Sequence, residues 1–369
     1  MEPFKNFIDA KVVRTLSQLV KAAYPEFDDK RFQKRCLAKL DALELKQRAA
    51  LLAEELWREL PDDPRQAFEV ARQAILPVPL LEEDDSFDGW LFMAFNSLLT
   101  AHGLEAPDAA LKLVPEVTQR FTAEFGIRVF LIHKPEKVFP LLQRWAMDSN
   151  HNLRRLVSEG TRPRLPWGEQ ITAFVQDPRP VLPLLELLKD DPSEYVRRSV
   201  ANNLNDISKD NPQLMLDTVE AWLADASPQR QRLLKHACRS LVKQGHPRCL
   251  KLLGYQAPKL KVAGFSASPR SLKLGEKLVL HLELQSTAPQ TQQLIVDYRF
   301  HFVKAYGQTS PKVFKGATLA LAPKAKRSLR KSFHLKPITT RKYYTGENTV
   351  DLLINGKPLA SIPFHLSVS

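Results

Sequence analysis

Residues 148–168 read DSNHNLRRLVSEGTRPRLPWG. The first half is an amphipathic helix in which Leu153, Leu156 and Val157 form an apolar stripe, while Arg155 and Glu159, four apart, share another face. Gly160 ends that helix. In the loop that follows, Pro163 and Pro166 fix backbone angles, and Arg162, Arg164 and Trp167 supply two guanidinium groups and one large flat ring. Two readings fit this loop. Either Trp167 plugs onto the core and the arginines are solvated, or the loop presents a ring and two cations to a ligand.

The neighbouring sequence repeats this unit. Val138-Phe139-Pro140-Leu141-Leu142 recurs as Val181-Leu182-Pro183-Leu184-Leu185, and Leu153-Arg154-Arg155 recurs as Val196-Arg197-Arg198. A third copy starts near Met215 and turns at Asp225. From Asp191 to Asp225 is 34 residues, a usual length for a helix-pair repeat, whereas Asp148 to Asp191 is 43. The first copy therefore carries an insertion of nine residues that coincides with the Arg/Pro/Trp loop. A solenoid needs nothing there for stability, and insertions on one face of a repeat array often mark its binding face. Aligning the second helices gives a polar stripe: Arg198, Asn202 and Asp206 in the middle copy, Arg155 and Glu159 in the copy before it, Arg232 and His236 in the copy after. A stripe on second helices would line a concave surface, although an ordinary solvated face has the same spacing.

Upstream, amphipathic segments punctuated by Pro, Gly and Asp predict helices over residues 4–23, 28–60 with a break, 89–102, 106–120 and 122–133. After Gly254 the period changes to two. Strands are expected over 259–265, 277–285, 294–302, 326–335, 348–354 and 359–366, with a tight turn at Asn355-Gly356, and about seven short strands suggest an immunoglobulin-like sandwich. The expected fold is thus multidomain α + β: an all-α helical-repeat solenoid over 1–257 followed by an all-β sandwich over 258–369.

Charge supports that division. Residues 258–369 hold 18 Lys and Arg against 5 Asp and Glu, while residues 1–257 hold 36 of each, so the formal net charge of +13 resides in the tail. A basic second domain suits a polyanion. Arg341-Lys342-Tyr343-Tyr344 and the group Lys324, Lys326, Arg327, Arg330 and Lys331 are its candidate contacts, with a packing corner as the other reading of the tyrosines. Cys36, Cys238 and Cys249 are scattered, which indicates neither a zinc site nor a disulfide framework and suits a reducing compartment. No run approaches a membrane span, and a soluble cytoplasmic protein is expected. Phosphate-cradling, metalloprotease, serine-hydrolase and dinucleotide motifs are missing, so neither a metal nor a cofactor is expected.

The run Leu153–Gly168, LRRLVSEGTRPRLPWG, together with Glu124-Phe125-Gly126-Ile127-Arg128 and Tyr195–Lys209, YVRRSVANNLNDISK, resembles the AlkC branch of the AlkC/AlkD alkylation-repair DNA glycosylases. The likeness covers roughly residues 1–250, and the tail resembles the immunoglobulin-like module of one AlkC subgroup. It implies HEAT-like repeats and hydrolysis of the N-glycosidic bond of cationic alkylated bases (3-methyladenine, 3-methylcytosine, 1-methyladenine) in duplex DNA. It also implies no base flipping and no strand-cleaving lyase step; a monomer is expected. By the same resemblance Glu124, Asp206 and Trp167 are catalytic candidates, with the two carboxylates unranked. Arg155, Glu159, Arg162, Arg164 and Arg198 are expected around the lesion or on phosphates, and Arg341 and Lys342 on DNA. A solenoid scaffold that binds DNA or protein without chemistry is the reading from a different class.

Overall fold

In the computed structural model, residues 3–81, 89–339 and 341–368 are described. The chain divides into two compact units, Met1–Ala237 and Cys238–Ser369.

The first unit is helical. A short turn, Phe4–Phe7, precedes α1 (Ala10–Ala23), because Asp9 accepts from the backbone amides of Lys11 and Val12 and so starts the helix afresh. There follow α2 (Asp29–Leu37), α3 (Leu45–Trp57), α4 (Pro64–Ile75), α5 (Phe92–His102), α6 (Pro107–Thr118) and α7 (Arg128–His133). The helix expected from residue 122 begins only at Arg128; Thr122 and Ala123 have no regular structure and Glu124–Ile127 form a turn. Gly126 explains this locally: its amide donates to Asn96 Oδ1 at 3.0 Å, and a Cβ there would lie 2.8 Å from the Leu99 side chain.

Then come α8 (Pro135–Trp145), α9 (His151–Gly160), α10 (Thr172–Gln176), α11 (Leu182–Leu188), α12 (Glu194–Asp210), α13 (Pro212–Leu223) and α14 (Pro228–Ala237). The second helices α9, α12 and α14 pack side by side. Each repeat closes its inter-helix turn in the same way. Arg154 donates to the carbonyls of Asp148 and Ser149 at 2.8 Å, and Arg197 does so to Asp191 and Pro192. In the third copy Gln231 takes the equivalent place and donates to Ala226 O at 3.1 Å. Arg154 also pairs with Asp191 of the next repeat at 2.6 Å, which ties successive turns together.

The second unit contains α15 (Arg239–Gln244), α16 (Pro247–Leu252) and two sheets. Strands β1 (Leu260–Ser268), β3 (Lys277–Ser286) and β6 (Lys326–His334) form one sheet. The other has the order β2 (Ser271–Lys273), β8 (Lys357–Ser367), β7 (Gly346–Ile354), β4 (Gln292–Val303), β5 (Thr309–Leu321). Leu278, Leu280, Leu282 and Leu284 from one face meet Val296, Tyr298, Phe300, Val350 and Leu352 from the other. Asn355 and Gly356 both have positive φ, 46° and 76°, as the tight turn between β7 and β8 requires. Strands β2 and β5 were not expected. β5 lies at a sheet edge, carries Pro311 and Gly316, and lacks clean alternation.

Asp191→Ala strips a buried partner from Arg154 and frees its turn. Urea denaturation is expected to show a loss of roughly 2–4 kcal/mol, whereas the exposed-pair variant Asp177→Ala stays within about 1 kcal/mol of wild type.

Candidate active site

Arg128 comes first, because it builds the loop that carries the other groups. Its side chain is buried, and it donates from Nε to Glu169 O at 2.6 Å and from Nη1 to Gly160 O at 2.8 Å and Arg162 O at 2.9 Å. One guanidinium thus holds the C-terminus of α9 and both ends of the inserted loop. Burial pulls its pKa down to about 10, which leaves it charged at neutral pH. Gly160 is the last residue of α9 and serves close packing: a Cβ there would come within 2.8 Å of the Ile127 side chain.

On this base five of the expected residues form one continuous ionic chain. Arg155 Nη1 donates to Glu124 Oε2 and, at 3.2 Å, to Thr122 Oγ1, while its Nη2 lies 3.5 Å from Glu159 Oε1. Arg162 Nη1 donates to Glu159 Oε1 at 2.6 Å, and its Nε donates to Asp206 Oδ2 at 2.7 Å. Lys209 closes the chain with 2.7 Å to Asp206 Oδ1. Ser199 Oγ donates to Glu159 Oε2 at 2.6 Å, and the Arg155 guanidinium lies over the Tyr195 ring, 5.1 Å from its centroid. Three carboxylates therefore alternate with cations in a nearly dry setting.

The electrostatics follow from that alternation. Burial alone would raise the Glu159 carboxyl, but Arg155 and Arg162, with the Ser199 hydroxyl, hold it below the ordinary carboxylate value. Burial acts in the opposite sense on Arg155, where Glu124 and Glu159 outweigh it and raise the guanidinium. Arg162 is raised in the same way, with Asp206 as the leading partner against burial. The site is built to keep the Glu159 carboxylate ionised despite its burial.

The expected stripe Arg198, Asn202, Asp206 is not one uniform face. Arg198 is exposed and pairs with Glu194 at 3.1 Å, Asn202 is half-buried, and Asp206 is only 1% exposed. The inserted loop covers the end of α12 through Arg162, and the face that meets α9 is Ser199, Asn203 and Asp206. Asn203 Nδ2 donates to Ser158 O at 2.8 Å.

Known proteins resemble this chain, two of them over nearly its whole length. The family model described as "Uncharacterised protein YhaZ, C-terminal Ig-like domain" matches residues 261–368. The uncharacterized protein YhaZ of Bacillus subtilis (strain 168) is 34% identical over 368 residues, covering 99% of this chain and 100% of that protein. A solved structure, the Pseudomonas fluorescens alkylpurine DNA glycosylase AlkC bound to DNA containing an abasic site analog, is also 34% identical. It superposes with a TM-score of 0.91, covering 99% of this chain and 100% of that one. The chain belongs to the AlkC family.

In this AlkC-family chain the remaining candidates sit apart from the ionic chain. Arg164 makes a bidentate pair with Asp210 at 2.6 and 2.7 Å. Trp167 is 56% exposed, and its backbone lies at φ +65°. Phe125 is half-buried and, with Trp167, Met93 and Arg128, lines a cavity of about 360 Å³. In the second unit Arg341 is a packing residue: its guanidinium lies 4.6 Å from the Phe302 ring and its Nη1 donates to the Tyr343 hydroxyl at 3.3 Å. Tyr343 is buried, so the packing-corner reading holds for it. Lys342 is exposed beside Tyr344.

Sequence reasoning missed Thr122, Tyr195, Ser199, Lys209 and the staple role of Arg128. Ser199, Asn203 and Asp206 have helical spacing and could have been read as a face. Thr122 carries no such signal, because it meets Arg155 across 33 residues of chain.

Glu159→Gln tests the electrostatics. With a depressed folded pKa, the stability supplied by Glu159 is complete above the unfolded value of about 4.3 and disappears as pH falls through the lower folded value. The difference in unfolding free energy between wild type and variant, measured in urea, should be flat from about pH 5 to 7 and shrink below about pH 4.

Proposed function

We propose that the protein is a DNA glycosylase that releases alkylated bases from duplex DNA and so initiates base excision repair. The observation that carries this reading is the buried chain of alternating carboxylates and cations, in a molecule that also exposes Trp167 on the inserted loop and matches an AlkC glycosylase end to end.

The chemistry suits such a site. An N-alkylated base such as 3-methyladenine, 3-methylcytosine or 1-methyladenine carries positive charge and leaves as a neutral molecule, so no general acid is required. The barrier lies in the oxocarbenium-like sugar and in placing water, and fixed negative charge lowers it. Among the described residues both bonds to Glu124 fall on Oε2, which leaves Oε1 for the sugar or water. Asp206 becomes available when the exposed Lys209 leaves Oδ1. Trp167 supplies a face or edge for the lesion nucleotide. Arg155 and Arg162 are committed to carboxylates in a buried place and act by orienting them, whereas phosphates are met by the exposed Lys342 and by Arg198 and Arg164, which exchange their more accessible partners Glu194 and Asp210 for them. Lys209 serves as the partner of Asp206 and not as a nucleophile, and on this reading the reaction is a simple hydrolysis. It proceeds at an open surface without rotating the base out, in a cytoplasmic monomer.

Single-turnover release of free base from a duplex bearing one 3-methyladenine or 3-methylcytosine tests the reading. Asp206→Asn and Glu124→Gln are each expected to lower the rate about 100-fold or more while duplex affinity holds. Binding without release by wild type would replace the enzyme with a non-catalytic scaffold.

Lys342→Ala should reduce the slope of log affinity against log salt by about 1. Arg341→Ala should instead lower the melting temperature of the second unit.

A further inference from the structure

Trp167 is held from outside its own loop. Its carbonyl accepts from Lys46 Nζ, in the first turn of α3, and its ring meets Phe4 edge-on, with centroids 5.9 Å apart and planes at 73°. Phe4 belongs to an aromatic series. It lies 5.8 Å from Trp90, which stacks on Phe7 at 5.2 Å and 9° and lies 5.9 Å from Phe121. Phe121 directly precedes Thr122 and Glu124, and a Cβ on Gly89 would come within 2.5 Å of its ring.

The N-terminal turn is itself anchored. Buried Arg48 of α3 donates from Nη1 to Lys5 O at 3.0 Å and Ile8 O at 2.9 Å, and Lys5 Nζ donates to Glu44 Oε1 at 2.7 Å. The start of α3 therefore holds both the turn that carries Phe4 and the carbonyl of Trp167. A bulky residue at positive φ is strained and persists only when its surroundings over-determine it. Lys46 and Phe4 are those surroundings.

We propose that Phe4 and Lys46 are positioning residues that set the orientation of Trp167, and that the aromatic series couples this orientation to the segment bearing Glu124. The proposal goes beyond the glycosylase reading and rests on it for its consequence: Trp167 must be aimed before it can meet the lesion nucleotide.

The test uses the full chain with Phe4→Ala, Lys46→Met and the conservative Phe4→Leu and Lys46→Arg, each with and without Trp167→Ala. Single-turnover base release should fall about tenfold or more in Phe4→Ala and Lys46→Met, because small misplacement of a reacting group is costly, with duplex affinity unchanged. Lys46→Arg should recover most of the rate. In the Trp167→Ala background neither substitution should cost anything further. On the free protein, the acrylamide quenching assigned to Trp167, taken as the difference from the matching Trp167→Phe protein, should rise in both variants. Unchanged rates, a loss that persists without Trp167, or unchanged quenching would each overturn the proposal. Should Phe4→Ala fail to fold, Phe4→Leu and Lys46→Met carry the same comparison. A wild type that releases no base sinks the glycosylase reading alone, and quenching then decides the positioning.

Discussion

A guanidinium buried among backbone carbonyls is the constraint on which the first unit's site depends. Removing Arg128 from water is costly, and the cost is offset only because Gly160, Arg162 and Glu169 each present a carbonyl that would otherwise lack a donor. The Gly160 carbonyl belongs to a helix end, where such groups are unsatisfied by construction. The loop beyond it contains Pro163 and Pro166, which have no amide to give, so it cannot stabilise itself with a ladder of its own. A cation that reaches three carbonyls supplies what the loop lacks. With both ends held, Arg162 turns inward to Glu159 and Asp206, and Arg164 turns to Asp210.

The ionic chain from Glu124 to Lys209 has a second consequence. Each carboxylate has at least one cation within hydrogen-bond distance, and each guanidinium has at least one carboxylate. Removing Arg155 takes from Glu124 its one ion-pair partner among the described residues, in a poorly solvated place, which costs more than the pair itself contributes, whereas Glu159 and Asp206 each have two cations and keep one when the other is removed. The network is therefore rigid, with its three carboxylates held in place by Arg155, Arg162 and Lys209. On the proposed reaction that rigidity matters, because fixed dipoles and charges stabilise a developing sugar cation without reorganising at the moment of bond cleavage.

The solenoid was legible in the sequence because repeat geometry is local. The Asp191-to-Asp225 spacing and the matching Arg154 and Arg197 report a turn that each repeat closes with its own residues. The sandwich strands with a clean period of two were legible for the same reason, and the edge strand β5 was not, because at an edge one side of the ladder imposes no alternation. At the site, the inserted loop stood out as a break in the repeat, and its Arg162 is the residue that meets Asp206. What could not be read were pairings set by distant partners. Thr122–Gly126 was expected to be helical, yet Asn96, some 30 residues away, takes the Gly126 amide. The contacts of Arg341 with the Phe302 ring and the Tyr343 hydroxyl are likewise set by the fold of the second unit and carry no signal in the local sequence.

Trp167 shows where stability and function part. An indole on a surface loop, more than half exposed and at a backbone angle that L-residues avoid, adds little to the core and costs conformational energy. Structural residues in the same loop behave differently: Leu165 is buried, and Arg164 is doubly bonded. A loop that spends Leu165 on packing and three carbonyls on Arg128, yet leaves its largest ring in solvent with a lysine on its carbonyl, is organised to present that ring. The strain at Trp167 is then the counterpart of the order at Arg128: the staple makes the loop stiff enough to keep an unfavourable backbone angle, and that angle puts the ring outside.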